Sequence, residues 1–288
     1  LPIEMSWRPR PLPMTLERES VRHTLAIRQL TVSSVTYPAP SIARITVSGD
    51  ELEGFISSGP ADHVKVFFPD PKTGVLTAPA MTAEGLKRPG KGKVISRDYT
   101  PLGFRSHDGH HELDIDFVVH GDEGPASAWA SKAAAGDAIV VAGPRGSKLL
   151  PQGATHVILI ADETALPAVS RWIDMLPPSV QITALFDVAD DSIESYFSAE
   201  HKARMSAEWF YRHDGLGQLD AALRAMGEIG ETTFVFMAGE ATTLVPLRRY
   251  LRRELGLPKH QVAADGYWRR GVTDADHHAP IDPADPED

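Results

Sequence analysis

Near residue 150 the hydrophobic rhythm of this chain changes, and with it the kind of layer that each half can build. Between His23 and Gly143 the apolar residues fall into six β-branched runs of strand length: HTLAIRQLTVSSVT, SIARITVSGD, HVKVFFP, KVISRDYT, ELDIDFVVH and DAIVVAG. The fifth alternates, with Leu113, Ile115, Phe117 and Val119 on one face and Glu112, Asp114, Asp116 and His120 on the other. Six such runs separated by turns predict an antiparallel β-barrel, interrupted by one helix over PASAWASKAA, whose proline suits a first helical position. Beyond Leu150, short apolar strands (HVILIA, VQITALF, AEWFYRH, TFVFMAG) alternate with helix-like stretches such as ALPAVSRWIDML and ATTLVPLRRYLRREL. That order predicts an α/β unit with a parallel sheet covered on both faces, an architecture suited to nucleotides.

The fold class expected is therefore α+β with two domains: an arm at 1–20, a barrel at 21–150 and an α/β domain at 151–255. A C-terminal segment at 256–273 and a disordered acidic tail at 274–288 follow. At 288 residues the chain is long enough for two cores. It has no cysteine, which removes disulfides, thiolate metal sites and a cysteine nucleophile, so redox chemistry requires a bound organic cofactor. The net charge of −10 opposes nucleic-acid binding. Six of the negative charges lie in the last fifteen residues, so the body is only about −4. No apolar run has the length of a membrane span, and the first 20 residues lack an apolar signal core. These features lead us to expect a cytoplasmic monomer with no membrane, nucleic-acid or metal partner. His277 and His278 suit a solvated tail better than a metal site.

Two motifs carry chemistry. In Arg97-Asp98-Tyr99-Thr100, alternation puts Arg97 and Tyr99 on one face, where a cation meets phosphate and an aromatic ring lies against a flat cofactor. The same four residues also suit a surface arginine beside a core tyrosine. Later, Gly124-Pro125-Ala126-Ser127-Ala128-Trp129 opens the predicted helix with small residues, and such an end presents amides to a pyrophosphate. Ser127 as a simple helix cap and Trp129 as core packing are the alternatives.

In order along the chain, HVKVFFP, RDYT, DFVVH followed by GPASAWA, AGPRGS, ADETALP, MAGE and GYWRRG resemble the siderophore-interacting proteins, or ferric-siderophore reductases, of the ferredoxin-reductase superfamily. The resemblance implies FAD held by Arg97, Tyr99 and Thr100, lined further by Asp116, Val118 and His120, with Gly124, Ala126 and Ser127 on its pyrophosphate and Trp129 nearby. It implies NADPH or NADH approaching Asp162, Glu163, Thr164, Ala165, Gly239 and Glu240. The turn at 162–167 lacks the glycine-rich dinucleotide fingerprint and, read alone, is a capped helix start. A ferric siderophore is the implied substrate, attracted by Lys65, Arg145 and Arg269. No catalytic side chain is expected, because the flavin carries the chemistry. The alternatives are a general flavin reductase with a protein acceptor and a non-enzymatic ferric-siderophore carrier.

Overall fold

The computed structural model describes residues 16–119, 124–272 and 279–286. Its first half is antiparallel. After β1 (Ser20–Arg22) come β2 (Ile27–Ala39), β3 (Ile42–Ser48) and β4 (Val64–Phe68). A small hairpin of β5 (Ala80–Thr82) and β6 (Gly85–Lys87) leads to β7 (Ile95–Tyr99), β8 (Pro101–His107) and β9 (His110–Val118). The helix α1 (Pro125–Ala130) precedes β10 (Ala138–Ala142) and β11 (Gly146–Lys148). Seven of these strands form one sheet in the order β7-β4-β10-β2-β3-β9-β8.

The six runs expected from the sequence are thus seven strands in the main sheet. The additional one, β8, starts at Pro101 and contains Gly103 with φ 56°, a composition that reads as a break. A proline is nevertheless tolerated as the first residue of a strand. Thr100 alone separates β7 from β8, so the two edges of the sheet are consecutive in the chain and one bent segment supplies both. Leu113, Ile115 and Phe117 point inward with Val64, Val66, Ile45 and Val47, and α1 adds Ala126 and Ala130 to that core.

The second half is a parallel sheet. It comprises β12 (His156–Ala161), α2 (Leu166–Met175), β13 (Gln181–Val188), α3 (Ala199–Arg204), β14 (Ser206–Tyr211), α4 (Gln218–Ala225), β15 (Thr233–Glu240), α5 (Ala241–Arg249) and β16 (Val262–Trp268). The strand order is β14-β13-β12-β15-β16. Central strands read as continuous apolar runs because both faces are covered. Val157, Leu159 and Ala161 face the layer of α2. Ile158 and Ile160 face the layer of α4 and α5.

The chain ends depart from expectation. The expectation that 256–273 follows the α/β unit meets a difference, since residues 262–268 are its fifth strand, paired in parallel with β15. Within 1–20, Leu16 is buried among the α/β residues. Arg18 lies over Trp172 and Phe234, 5.1 and 5.6 Å from the ring centroids, and donates to the Leu149 and Lys148 carbonyls. Of the acidic tail, residues 279–286 pack rather than dangle. Ile281 is buried beside Leu244 and Leu247, while Asp282 pairs with Arg249 and Asp285 with Arg253. Composition announces solvated acids; the arginine-rich face of α5 and the turn after it give them partners.

Polar ties join the halves. Arg171 of α2 donates to the carbonyls of Pro101, Ser57 and Gly59 at 2.8–3.1 Å. Ser195 donates to the Pro38 carbonyl at 3.1 Å. Asp116 of β9 accepts two hydrogen bonds from Arg44, at 2.8 and 2.7 Å, and one from the Tyr196 hydroxyl at 2.6 Å. Burial, and then the neighbouring Asp116 carboxylate, hold the Tyr196 hydroxyl well above the ordinary tyrosine value, so it stays a donor. Tyr196→Phe is expected to cost about 1–3 kcal/mol, the value of a hydrogen bond to a charged group. Asp116→Ala is expected to cost about 3 kcal/mol or more by stripping Arg44 of its buried partner. Urea unfolding curves of the two variants check the order of these losses.

Candidate functional site

The register of β4 and β7 sets the first part of the site. Val66 pairs with Arg97 and Val64 with Tyr99, so Arg97 and Tyr99 share the inward face, as alternation predicts. Tyr99 lies 4.4 Å from Phe117 and 6.1 Å from Phe68, between ring centroids. Arg97 is half-buried and donates to the Ser96 carbonyl at 2.7 Å. Trp129 packs on Phe68 and Phe117 at 5.4 and 5.8 Å, so its ring is part of the aromatic cluster under α1. Ala126 is a core residue of the barrel and Ser127 is buried.

Gly124 precedes α1 with φ 91°, and a Cβ there would meet nothing within 4 Å. The first intrahelical bond runs from Ala128 N–H to the Gly124 carbonyl, so the turn ahead of it carries amides at the helix start. No acidic residue stands in this turn. A half-buried guanidinium, a first helical turn without acids and an aromatic rim form a set that fits FAD.

The Asp116 carboxylate is taken up by Arg44 and Tyr196. Val118 packs toward the α/β core. His120 lies outside the described residues.

The second part is a crevice at the carboxyl ends of β12, β13 and β15. The chain runs from β12 outward through β13 to β14, then returns to the other side of β12 with β15. Such a reversal leaves an opening beyond the strand ends, the usual place for a ligand in an open α/β sheet.

Asp162 is the hub of the crevice. It is 6% exposed and accepts hydrogen bonds from Thr164 N–H (2.9 Å), Thr164 Oγ1 (2.5 Å), Glu240 N–H (2.8 Å) and Trp268 Nε1 (2.7 Å). Burial pushes its carboxyl up to about 6 despite the donors. Gly239, with φ 148°, is required by this hub, since a Cβ there would sit 2.6 Å from Asp162 Oδ2. Glu163 accepts from Ala189 N–H at 2.6 Å and is salt-bridged to Arg212. Ala165 is fully buried.

Glu240 caps α5. It accepts from Thr243 N–H (2.8 Å), Thr242 Oγ1 (2.7 Å) and Arg270 N–H (3.1 Å). Burial opposes its ionisation, but these donors outweigh burial and bring it down to about 2.

Of the three cations expected to meet substrate, Lys65 pairs with Asp98 at 2.9 Å. Arg145 is exposed, three residues beyond Ala142, the register partner of Lys65. Arg269 departs from expectation in that it donates to the Ile281 carbonyl at 2.8 Å, so part of its hydrogen-bonding capacity serves the C-terminal segment. Sequence reasoning missed Arg212, Asp187, Trp268 and Arg270, all of which line the crevice. The available signal was position, since Arg212 directly follows β14 and Arg270 follows β16 by one residue.

The parts meet at one dipeptide. Tyr267 lies beside the Thr100 side chain between β7 and β8, while Trp268 bonds Asp162 at the end of β12.

Two outcomes are expected here. Gly239→Ala should lose about 1–3 kcal/mol of stability, because the left-handed backbone and the clash with Asp162 both penalise a side chain. Thermal unfolding checks it. The folded-state value of Asp162 lies above its unfolded 3.8, so the stability it contributes is complete below the unfolded value and is lost as pH rises through about 6. The same ionisation strengthens the acceptor of Trp268 Nε1. A fluorescence titration with a midpoint near 6, absent from Trp268→Phe, is the expected record.

Comparison with known proteins agrees with this geometry. Residues 31–148 match the siderophore-interacting FAD-binding domain, and residues 154–271 match the siderophore-interacting protein family. The NADPH-dependent ferric-chelate reductase of Escherichia coli K12 is 36% identical over 253 residues, covering 87% of this chain and 96% of that protein. The ferric vibriobactin reductase of Vibrio cholerae is 30% identical over 246 residues, covering 84% and 89%. The crystal structure of a siderophore utilization protein from T. fusca superposes with a TM-score of 0.79 at 38% identity, covering 91% of this chain and all of that one. The chain belongs to the siderophore-interacting protein family, with the FAD-binding domain of that family as its first half.

Proposed function

We propose that the chain is an FAD-dependent reductase of ferric siderophores, driven by NADPH or NADH, that frees iron by reducing it inside the cell. The observation that carries this reading is the Tyr267-Trp268 dipeptide, whose tyrosine lies beside Thr100 of the barrel and whose tryptophan bonds Asp162 in the nucleotide crevice. Two sites that exchange electrons have to adjoin, and consecutive residues lie about 3.8 Å apart between Cα atoms.

Bound FAD supplies the conversion of a two-electron hydride donor into two one-electron transfers. The balance is one NAD(P)H and two Fe(III) giving NAD(P)⁺, one proton and two Fe(II). Arg97 and the amides opening α1 hold the pyrophosphate, Tyr99 provides an aromatic wall, and Thr100 lies at the ring edge. The crevice receives the nicotinamide, where Asp162 and Glu240 face a ring that becomes cationic as it loses hydride. The relative's name, NADPH-dependent ferric-chelate reductase, favours NADPH as donor.

Lys65 and Arg145 leave the barrel at the end that carries Tyr99 and Thr100. Arg269 is two residues from Tyr267, which touches Thr100. Cations gathered there on a chain of net charge −10 attract an anionic chelate. Catecholates and hydroxamates grip Fe(III) far more tightly than Fe(II), so reduction loosens the metal. Among the described residues no helix is long and apolar enough to cross a membrane.

The direct test is anaerobic absorbance spectroscopy with an Fe(II) trap. Flavin bands should bleach with NADPH or NADH and return as trapped Fe(II) appears on adding ferric siderophore. A protein that takes up no FAD would sink the reading. Lys65→Gln and Arg145→Gln should each raise KM for an anionic ferric chelate several-fold, with kcat little changed, and raised salt should shrink the difference. Unchanged KM in both would instead favour a general flavin reductase.

A further inference from the structure

Both helices that begin at the crevice have carboxylates at their N-termini. At the start of α2, Asp162 already accepts the Thr164 amide and Glu163 the Ala189 amide. At the start of α5, Glu240 accepts the Thr243 amide. A phosphate approaching either end meets negative charge and engaged donors, the reverse of the acid-free opening of α1. Yet a nicotinamide dinucleotide brings at least two phosphates, and their anchor has to come from elsewhere.

Two guanidinium groups supply it. Arg212 is fixed at the end of β14 by the Asp187 carbonyl, at 3.0 Å, and by Glu163. Arg270 is fixed through its main chain, whose N–H donates to Glu240 Oε1 at 3.1 Å, so its side chain starts from a defined point at the crevice wall. That side chain is exposed, and among the described residues no acceptor engages its guanidinium. It stands near enough to Asp187 to favour that carboxylate, as Arg212 does. The crevice therefore has one wall of carboxylates, Asp162 and Glu240, and one edge where two cations, Arg212 and Arg270, stand with the single carboxylate of Asp187. A dinucleotide fits this polarity in one orientation, with the ring that turns cationic toward the acids and the phosphates toward the arginines.

We propose that Arg270, aided by Arg212, holds a phosphate group of the nicotinamide dinucleotide, replacing the amides that a glycine-rich turn provides in other dinucleotide folds. The inference rests on the reading of the crevice as the nicotinamide site. An arginine can take a phosphate through two parallel N–H···O bonds, and such charge-assisted pairs are about twice as strong as neutral ones. Arg270 supplies the new contact, since among the described residues no acceptor engages its guanidinium. Arg212 supplies a second charge whose position Glu163 fixes.

Calorimetric titration of the FAD-loaded protein with NADP⁺ and with NAD⁺ tests this without turnover. Arg270→Gln is expected to raise Kd about tenfold or more for NADP⁺, with unchanged thermal stability because the side chain has no hydrogen-bond partner among the described residues to lose. Arg270→Lys should fall between, and Lys259→Gln, a surface change elsewhere, should match the unmodified protein. Equal losses for both nucleotides support contact with the shared pyrophosphate, and a loss confined to NADP⁺ supports contact with the 2′-phosphate. Unaltered Kd for both nucleotides in Arg270→Gln overturns the proposal. An unmodified protein that binds neither nucleotide overturns instead the reading of the crevice on which it rests.

Discussion

Burying a carboxylate is costly unless donors surround it, and the centre of this molecule is organised by supplying them to Asp162. Its four donors come from its own turn, from the end of β15 and from the end of β16. Three strand ends are thereby held around one side chain, and the crevice is the space beyond them. Gly239 follows from the same interaction, because the approach of Asp162 leaves no room for a Cβ. So does the setting of Trp268, and through it the position of Tyr267 against the barrel.

The two halves are coupled by polar groups that each give up water to make the contact. Arg171 reaches three carbonyls of the barrel half, and Tyr196 reaches a carboxylate that Arg44 already neutralises. Contacts of this kind are directional, and they specify one relative orientation more sharply than apolar packing does. Arg18 adds a further clasp by lying over Trp172 while donating to the main chain at 148 and 149. Electron transfer between two half-sites depends on that fixed orientation.

Much of this was legible along the chain. The alternation in RDYT put Arg97 and Tyr99 on one face, and the pairing of β4 with β7 keeps them there. The small residues of GPASAWA announced a helix start without acids. The doubly covered strands of the second half declared themselves as unbroken apolar runs. What escaped was set by distance in sequence. The partners of the Asp116 carboxylate lie 72 and 80 residues away at Arg44 and Tyr196. The acids of the tail read as solvated, but Asp282 and Asp285 meet arginines more than thirty residues earlier.

The sequence by itself determined what depends on neighbours a few residues apart: strand alternation, helix starts, the switch from antiparallel to parallel layers, and the family motifs. It also determined that no thiol takes part in the chemistry. Only the tertiary structure decided which charged groups are consumed in holding the fold and which face a ligand. Arg269 and Arg270 show the division, for adjacent arginines of one motif end with different tasks, one donating to the Ile281 carbonyl and one lining the crevice. The reason is physical: local pattern fixes the direction of a side chain, whereas its partner is fixed by which distant segment the folded chain brings within hydrogen-bonding reach.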